Sequence, residues 1–300
     1  MKVKDSSSDK VPAGSPKVYA LKCLSKRSIV DNTLQDHVLN EVNIMSELNH
    51  PFILTYHCTM QDTKQIYFVL ELLLGGEMFK ILRARERFDE DTTRFYAASV
   101  VLAFSQIHAK KIAYRDLKPE NLVLDSRGYL KIVDFGLAKK IRTGKTWTLC
   151  GTPDYIAPEV VINEGHDWAV DYWGLGVLIY EMCAGIPPFY AEDQMQVYEQ
   201  ILSGVVRIPN HFSRHMGDII RKLLKTYPSK RLGRTRGGTK SVMEHKWFSN
   251  LDWDALLRQE SKPPIMPIIK SDTDASNFDK FEELDESLID PCPEWTPLLY

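Results

Sequence analysis

The chain has 300 residues, 44% hydrophobic and 26% charged, with 38 Lys and Arg against 40 Asp and Glu for a net charge of -2. Such a composition excludes a disordered chain, and the near-balance of charge excludes a polyelectrolyte surface for nucleic acid or membrane, so charge recognition has to be local to a site. The five cysteines (Cys23, Cys58, Cys150, Cys183, Cys292) are odd in number and lack C-x-x-C spacing, which argues against a disulfide framework or a zinc site and for a reducing, cytoplasmic setting.

In chain order, the N-terminus carries no apolar signal region, and Ser6 to Pro16 reads as a loop leading into a strand at Lys17 to Leu24. From Leu34 to Leu48, apolar residues at Leu34, Val38, Val42, Met45 and Leu48 predict an amphipathic helix, with His37 and Glu41 one turn apart on another face. Ile66 to Leu74 is rich in β-formers and ends at Gly75-Gly76, a strand running into a linker. Tyr96, Val100, Phe104 and Ile107 set up a long helix. Leu122 to Leu124 and Leu130 to Val133 flank Asp125-Ser126-Arg127-Gly128, a hairpin signal. Val170 to Cys183 is apolar on nearly every side, as a central helix would be; it contains Asp171 and Glu181 and is too short to span a bilayer. From about residue 190 to Trp247-Phe248 the pattern is mostly helical. After Ser261 prolines recur, and Ser271 to Tyr300 holds nine acidic residues against Lys280 alone, the composition of an extended tail draped over a surface.

The motifs decide the class. Tyr114-Arg115-Asp116-Leu117-Lys118-Pro119-Glu120-Asn121 is followed beyond the hairpin by Asp134-Phe135-Gly136 and then by Ala157-Pro158-Glu159. Taken singly, each of these polar residues reads as a solvated charge, a cap or a turn. Together with Val18-Tyr19-Ala20-Leu21-Lys22 and Glu41 in the following helix, the ordered set resembles the signature of protein kinases. The resemblance implies an α+β, bilobal fold: a partial, β-rich small lobe over 1–74, a mainly helical lobe over 75–248, and a C-terminal tail over 249–300. It also implies roles. ATP and Mg2+ are the expected cofactors, with Asp134 and Asn121 as metal ligands, Lys22 on the α and β phosphates, and Glu41 holding Lys22. Asp116 would accept or orient the substrate hydroxyl proton and Lys118 would contact the transferred phosphoryl group. The hinge from Glu71 to Leu73 and the walls at Ala20 and Val123 would hold the nucleotide, while Glu159 would pair structurally with Arg231.

Further residues narrow the group. Thr146-Trp147-Thr148-Leu149-Cys150-Gly151-Thr152-Pro153 resembles the activation loop of the kinases driven by cyclic AMP and cyclic GMP. Ile29-Val30-Asp31, Gly165-His166-Asp167 and Asp272-Thr273-Asp274-Ala275-Ser276-Asn277-Phe278-Asp279 are closer to the cyclic-GMP branch, ranked first, with the cyclic-AMP branch second. By that resemblance, Glu77, Glu120 and Glu181 would grip Arg or Lys upstream of a serine, and Leu149, Pro153 and Ile156 would form the apolar pocket after it. Leu137 goes with serine preference over threonine. Thr148 would be phosphorylated, its phosphate meeting Arg115, Lys139 and His37. A cyclic-nucleotide-binding regulatory region, in cis or as a separate subunit, is the expected partner.

One feature departs from the family pattern. The Gly-rich loop should precede Lys22 by roughly fifteen to twenty residues, yet Gly14, between Pro12 and Pro16, is the only glycine before Lys22. Lys2-Val3 is readable as a remnant of the second strand, with the recorded chain starting inside the small lobe. The chain as written is therefore expected to bind Mg-ATP weakly and to turn over far below the roughly 1 to 100 per second of kinases. The alternative is a kinase-fold scaffold with impaired catalysis. The closing residues Glu294 to Tyr300 lack a Phe-x-x-Phe ending, which leaves open how the tail docks on the small lobe.

Overall fold

The computed structural model describes residues 17–142, 144–280 and 289–297. The expectations for Lys2-Val3, Gly14 and the loop up to Pro16 lie outside those residues.

The small lobe is built from β1 (Tyr19–Ser25), α1 (Lys26–Asp31), α2 (Gln35–Glu47), β2 (Tyr56–Gln61) and β3 (Gln65–Glu71). Its sheet is antiparallel in the order β1-β3-β2, with Lys22 opposite Phe68 and Ala20 opposite Leu70. Alternation along β1 exposes Leu21 and Cys23 and turns Ala20, Lys22 and Leu24 to the other face. The Ser25 hydroxyl accepts the Ser28 N–H and so starts α1 where β1 stops. In α2 the buried stripe is Val38, Glu41, Val42, Ile44 and Met45. Glu41 thus belongs to the buried face and His37 does not, contrary to the shared face read from their spacing. The cause is a partner on β1 that makes a buried carboxylate tolerable. Strand β3 ends at Glu71, three residues before the Leu74 expected, because Leu72 to Gly75 leave the sheet as a linker. Gly75 N–H then donates to Leu124 O at 2.9 Å, and a Cβ on Gly75 would sit 2.5 Å from Asp125 O.

The larger lobe begins with α3 (Met78–Arg85) and α4 (Glu90–Ala109). The latter is capped by Asp89, whose carboxylate accepts the Thr92 N–H at 2.7 Å. Its first turn is polar, so the apolar pattern alone starts it too late, at Tyr96. Next come β4 (Ile112–Ala113), β5 (Leu122–Leu124), β6 (Leu130–Ile132) and β7 (Lys139–Lys140), pairing as β4-β7 and β5-β6. The β5-β6 turn is the expected hairpin: Asp125 accepts from Arg127 N and Tyr129 N, and Gly128 takes φ +90°. Helices α5 (Pro158–Val161), α6 (Ala169–Ala184), α7 (Gln194–Ser203), α8 (Arg214–Leu223), α9 (Gly238–Met243) and α10 (Trp253–Leu257) complete the lobe. All of α6 except its last residue is buried, and it stops at Gly185 in the left-handed region. Arg231, fully buried, donates to both oxygens of Glu159 at 2.7 and 2.8 Å, to Ala169 O, and lies over the Trp173 ring.

The tail is draped over both lobes. Asn277 donates to Leu74 O at 2.9 Å beside the linker, and Asp279 pairs with Lys80. On the small lobe, Cys292 N–H donates to Thr63 O, Glu294 pairs with Arg27, and Gln61 donates to Pro297 O. Among the described residues, docking on the small lobe is thus made by backbone and charge, with Trp295 packed against the core beside these contacts.

Candidate active site

Lys22 on β1 and Glu41 on α2 meet at 2.7 Å. The Lys22 ammonium also lies 5.5 Å from the Phe68 ring centroid, so strand and helix together aim it. Burial raises the Glu41 carboxyl above its ordinary range, while Lys22 and the Phe135 N–H pull it back and Asp134 pushes it further up. An acid in that position needs its cation: with Lys22 removed, Glu41 is left buried beside another carboxylate.

The loop after β4 is held by Asp171 of α6. Its carboxylate accepts from Tyr114 N at 3.0 Å, Arg115 N at 2.8 Å and His108 Nε2 at 2.7 Å. Arg115 sits at φ +69°, a conformation that these bonds over-determine. The next residue, Asp116, is buried, and its Oδ2 accepts from Asn121 Nδ2 at 2.7 Å and faces Lys118 Nζ at 3.1 Å. Lys118 also donates to Thr152 Oγ1 at 3.0 Å, which joins this loop to the activation segment. Asp116 Oδ1 remains for a hydroxyl to approach.

The donor chemistry of the expected metal ligands suits magnesium. The Asn121 amide nitrogen donates to both Asp116 O and Oδ2, so its oxygen is the group left to turn outward as a hard donor. Asp134 stands at φ +58°, with Oδ1 accepting Gly136 N–H at 3.0 Å and Oδ2 left over. Among the described residues no group of three or more His, Cys, Asp or Glu could hold a metal alone. A magnesium ion bound by one or two protein oxygens plus nucleotide phosphates needs no such cage.

Of the nucleotide-holding residues, Val123 and Leu73 are buried and Ala20 half-buried. The Glu71 side chain is engaged elsewhere, with Lys131 at 2.8 Å and Thr55 N–H at 3.1 Å, and its own N–H donates to Thr55 O at 2.9 Å, so at most its carbonyl is open to a ligand. Around the activation segment, Arg115 Nε donates to Leu137 O and Lys139 Nζ to Thr146 Oγ1, both within 3.0 Å. Thr148 and Leu149 are exposed. His37 is exposed on α2.

The three acids assigned to substrate differ in setting. Glu120 is exposed and Glu77 half-buried at the start of α3. Glu181 is buried, accepting from Arg83 at 2.9 Å and the Tyr155 hydroxyl at 2.6 Å. Burial raises its carboxyl, Tyr155 and Arg83 lower it, and Glu120 and Asp154 raise it again, so Asp154 joins the same acidic cluster. Pro153 opens and Ile156 closes the short turn that holds Asp154 and precedes α5. Sequence reasoning missed Asp154, Tyr155, Arg83, Thr152 and the anchoring role of Asp171. A signal existed for Asp171: an acid in an otherwise apolar, buried helix has to be hydrogen-bonded to something.

Comparison with known proteins bears on the family. The sequence profile described as "Protein kinase domain" matches residues 9–248. The chain is 47% identical over 286 residues to the Drosophila melanogaster cGMP-dependent protein kinase, isozyme 2 forms cD5/T2, covering 94% of this chain and 30% of that protein. Identity to human cGMP-dependent protein kinase 2 is 47% over 266 residues, 88% of this chain and 35% of the other. Identity to the human cAMP-dependent protein kinase catalytic subunit PRKX is 43% over 276 residues, 92% and 77% of the two chains. The chain thus spans about a third of the length of these cGMP-dependent relatives.

Proposed function

The chain belongs to the protein kinase family, in its cyclic-nucleotide-dependent group, and from this premise we propose that it transfers the γ-phosphoryl group of ATP to serine, less readily threonine, in basic protein substrates. The observation that supports the reading is a pair of bonded sets, Lys22–Glu41 and Asp116–Asn121, with Asp134 near enough to Glu41 to raise its carboxyl and both Asp134 and Asp116 acting on the Tyr114 hydroxyl. Magnesium held by Asn121 and Asp134 would neutralise the phosphates and organise them for in-line transfer. Lys22 binds the α and β phosphates. Asp116 orients the hydroxyl through Oδ1 and takes up its proton, while Lys118 faces the transferred group and Thr152 keeps Lys118 in place. Phosphate on Thr148 would draw Arg115 and Lys139 together. A cyclic-nucleotide-binding region in cis, or on a separate subunit, would regulate the site, and a cytoplasmic location suits the free cysteines. Among the described residues no helix is long and apolar enough to cross a membrane.

The acidic cluster supplies the specificity and its test. Each Glu181 oxygen keeps a second lone pair after bonding Arg83 and Tyr155, enough to receive a substrate guanidinium beside Glu120 and Glu77. Glu181→Gln is expected to raise KM for peptides with Arg two or three positions before serine by about tenfold or more, with kcat little changed. Because burial raises the Glu181 carboxyl, its proton returns at a higher pH than for a solvated glutamate. KM for the arginine peptide therefore rises as pH falls through that raised value, and the Glu181→Gln enzyme lacks this limb. Steady-state kinetics against pH decides it; preference for acidic or proline-directed peptides would overturn the assignment. The second reading, a kinase-fold binding module with impaired catalysis, is favoured by one observation, the solitary Gly14 before Lys22.

A further inference from the structure

A cavity of about 420 Å³ opens between the start of the activation segment, the turn at Gly165 to Asp167 and the loop from Pro228 to Arg236. None of Lys22, Asp116, Asn121 or Asp134 lines it. The fold packs its walls closely: a Cβ on Gly165 would lie 2.8 Å from Trp147 Nε1 and 3.1 Å from Lys145 Cδ, so the lysine stem and the indole rest on that turn.

The charges around the cavity do not cancel. Glu159 is taken by both guanidinium nitrogens of Arg231. Asp167 accepts from Arg234 Nε at 3.0 Å and from Ala169 N–H at 2.8 Å. Lys145 Nζ donates to a neutral group, Glu164 O, at 3.1 Å, and Arg236 makes no ion pair among the described residues. Two cations are thus left without a carboxylate, and the unengaged edge of Arg234 and the hydroxyls of Ser229 and Thr235 add further donors to the same walls. His166, held near pKa 4 by burial and by Arg115, adds no charge.

We propose that this cavity is an oxyanion site that takes a phosphate group, free or carried as a phosphate monoester, between Lys145 and Arg236. Guanidinium and ammonium donors on two sides of a concave site are the chemistry that recognises a phosphate dianion. The volume exceeds what one phosphate fills and leaves room for the body of an ester. Occupancy also bears on the activation segment. Thr146 and His166 exchange both backbone hydrogen bonds, at 2.9 and 2.8 Å, and Lys145 and His166 both line the cavity. An anion there tightens that bridge from both ends. The site is independent of the proposed phosphoryl transfer.

The test is calorimetric titration of the full 300-residue chain, in low-salt buffer free of phosphate and sulfate, with inorganic phosphate and with a peptide carrying phosphoserine. Lys145→Gln/Arg236→Gln, at two exposed positions, is the site variant; Lys22→Ala controls for the nucleotide cleft. The expected result is saturable binding that weakens about tenfold or more in the double variant and persists in Lys22→Ala, with slowed amide exchange at Thr146 and His166 on binding. Binding of both probes supports a monoester ligand, and binding of inorganic phosphate alone supports a free anion. No saturable binding, equal affinity in the double variant, or loss in Lys22→Ala overturns the proposal.

Discussion

Asp116→Asn is expected to lower phosphoryl transfer by about 10²- to 10⁴-fold, the range that a positioned general base contributes. The substitution is isosteric, and Asp116 is buried with its Oδ2 receiving Asn121 and facing Lys118. The amide oxygen can keep one of these contacts, so the loop stays anchored through Asp171. What is lost is the ability to take a proton and the full negative charge opposite Lys118. Single-turnover transfer to a serine peptide measures the effect, and nucleotide binding and the thermal midpoint should stay close to those of the parent. A variant that transfers phosphate at the parent rate would remove Asp116 from the chemistry.

Arg231→Met is expected to cost about 3–5 kcal/mol of stability, the range for removing one partner of a buried ion pair. Arg231 is fully excluded from solvent, as is nearly all of Glu159, and among the described residues no other cation is bonded to that carboxylate. Deleting the guanidinium also removes a donor from the carbonyls of Lys225 and Ala169. The double variant Glu159→Leu/Arg231→Met should recover much of the loss, since an apolar pair avoids the stranded charge. Urea denaturation of the three chains checks both statements. A single variant within about 1 kcal/mol of the parent, beside typical point-mutant effects, would show that the pair contributes little.

The residues proposed to carry the chemistry could be picked out because their motifs are local: Asp116, Lys118 and Asn121 lie within six positions, and Asp134-Phe135-Gly136 follows the hairpin. What holds them was not. Asp171 anchors Tyr114 and Arg115 from 57 and 56 positions away, a contact no window of sequence contains. Strand β2 escaped because Tyr56 to Gln61 is half-exposed and mixed in polarity, so no period of two appears. Four residues advance a helix by about 40° beyond one turn, which places Glu41 near His37 on a wheel but not on the same side of the lobe boundary. The buried setting of Glu181 was equally hidden, since Arg83 and Tyr155 reach it from α3 and from the turn before α5.

The most direct measurement is transfer of labelled γ-phosphate from Mg-ATP to a peptide with two arginines before serine and an apolar residue after it, by the 300-residue chain beside its Asp116→Asn variant. The account predicts label on the serine, at a rate below the roughly 1 to 100 per second of kinases and lost in the variant. Incorporation equal in the two chains, with nucleotide bound by both, would contradict it and favour a kinase-fold binding module.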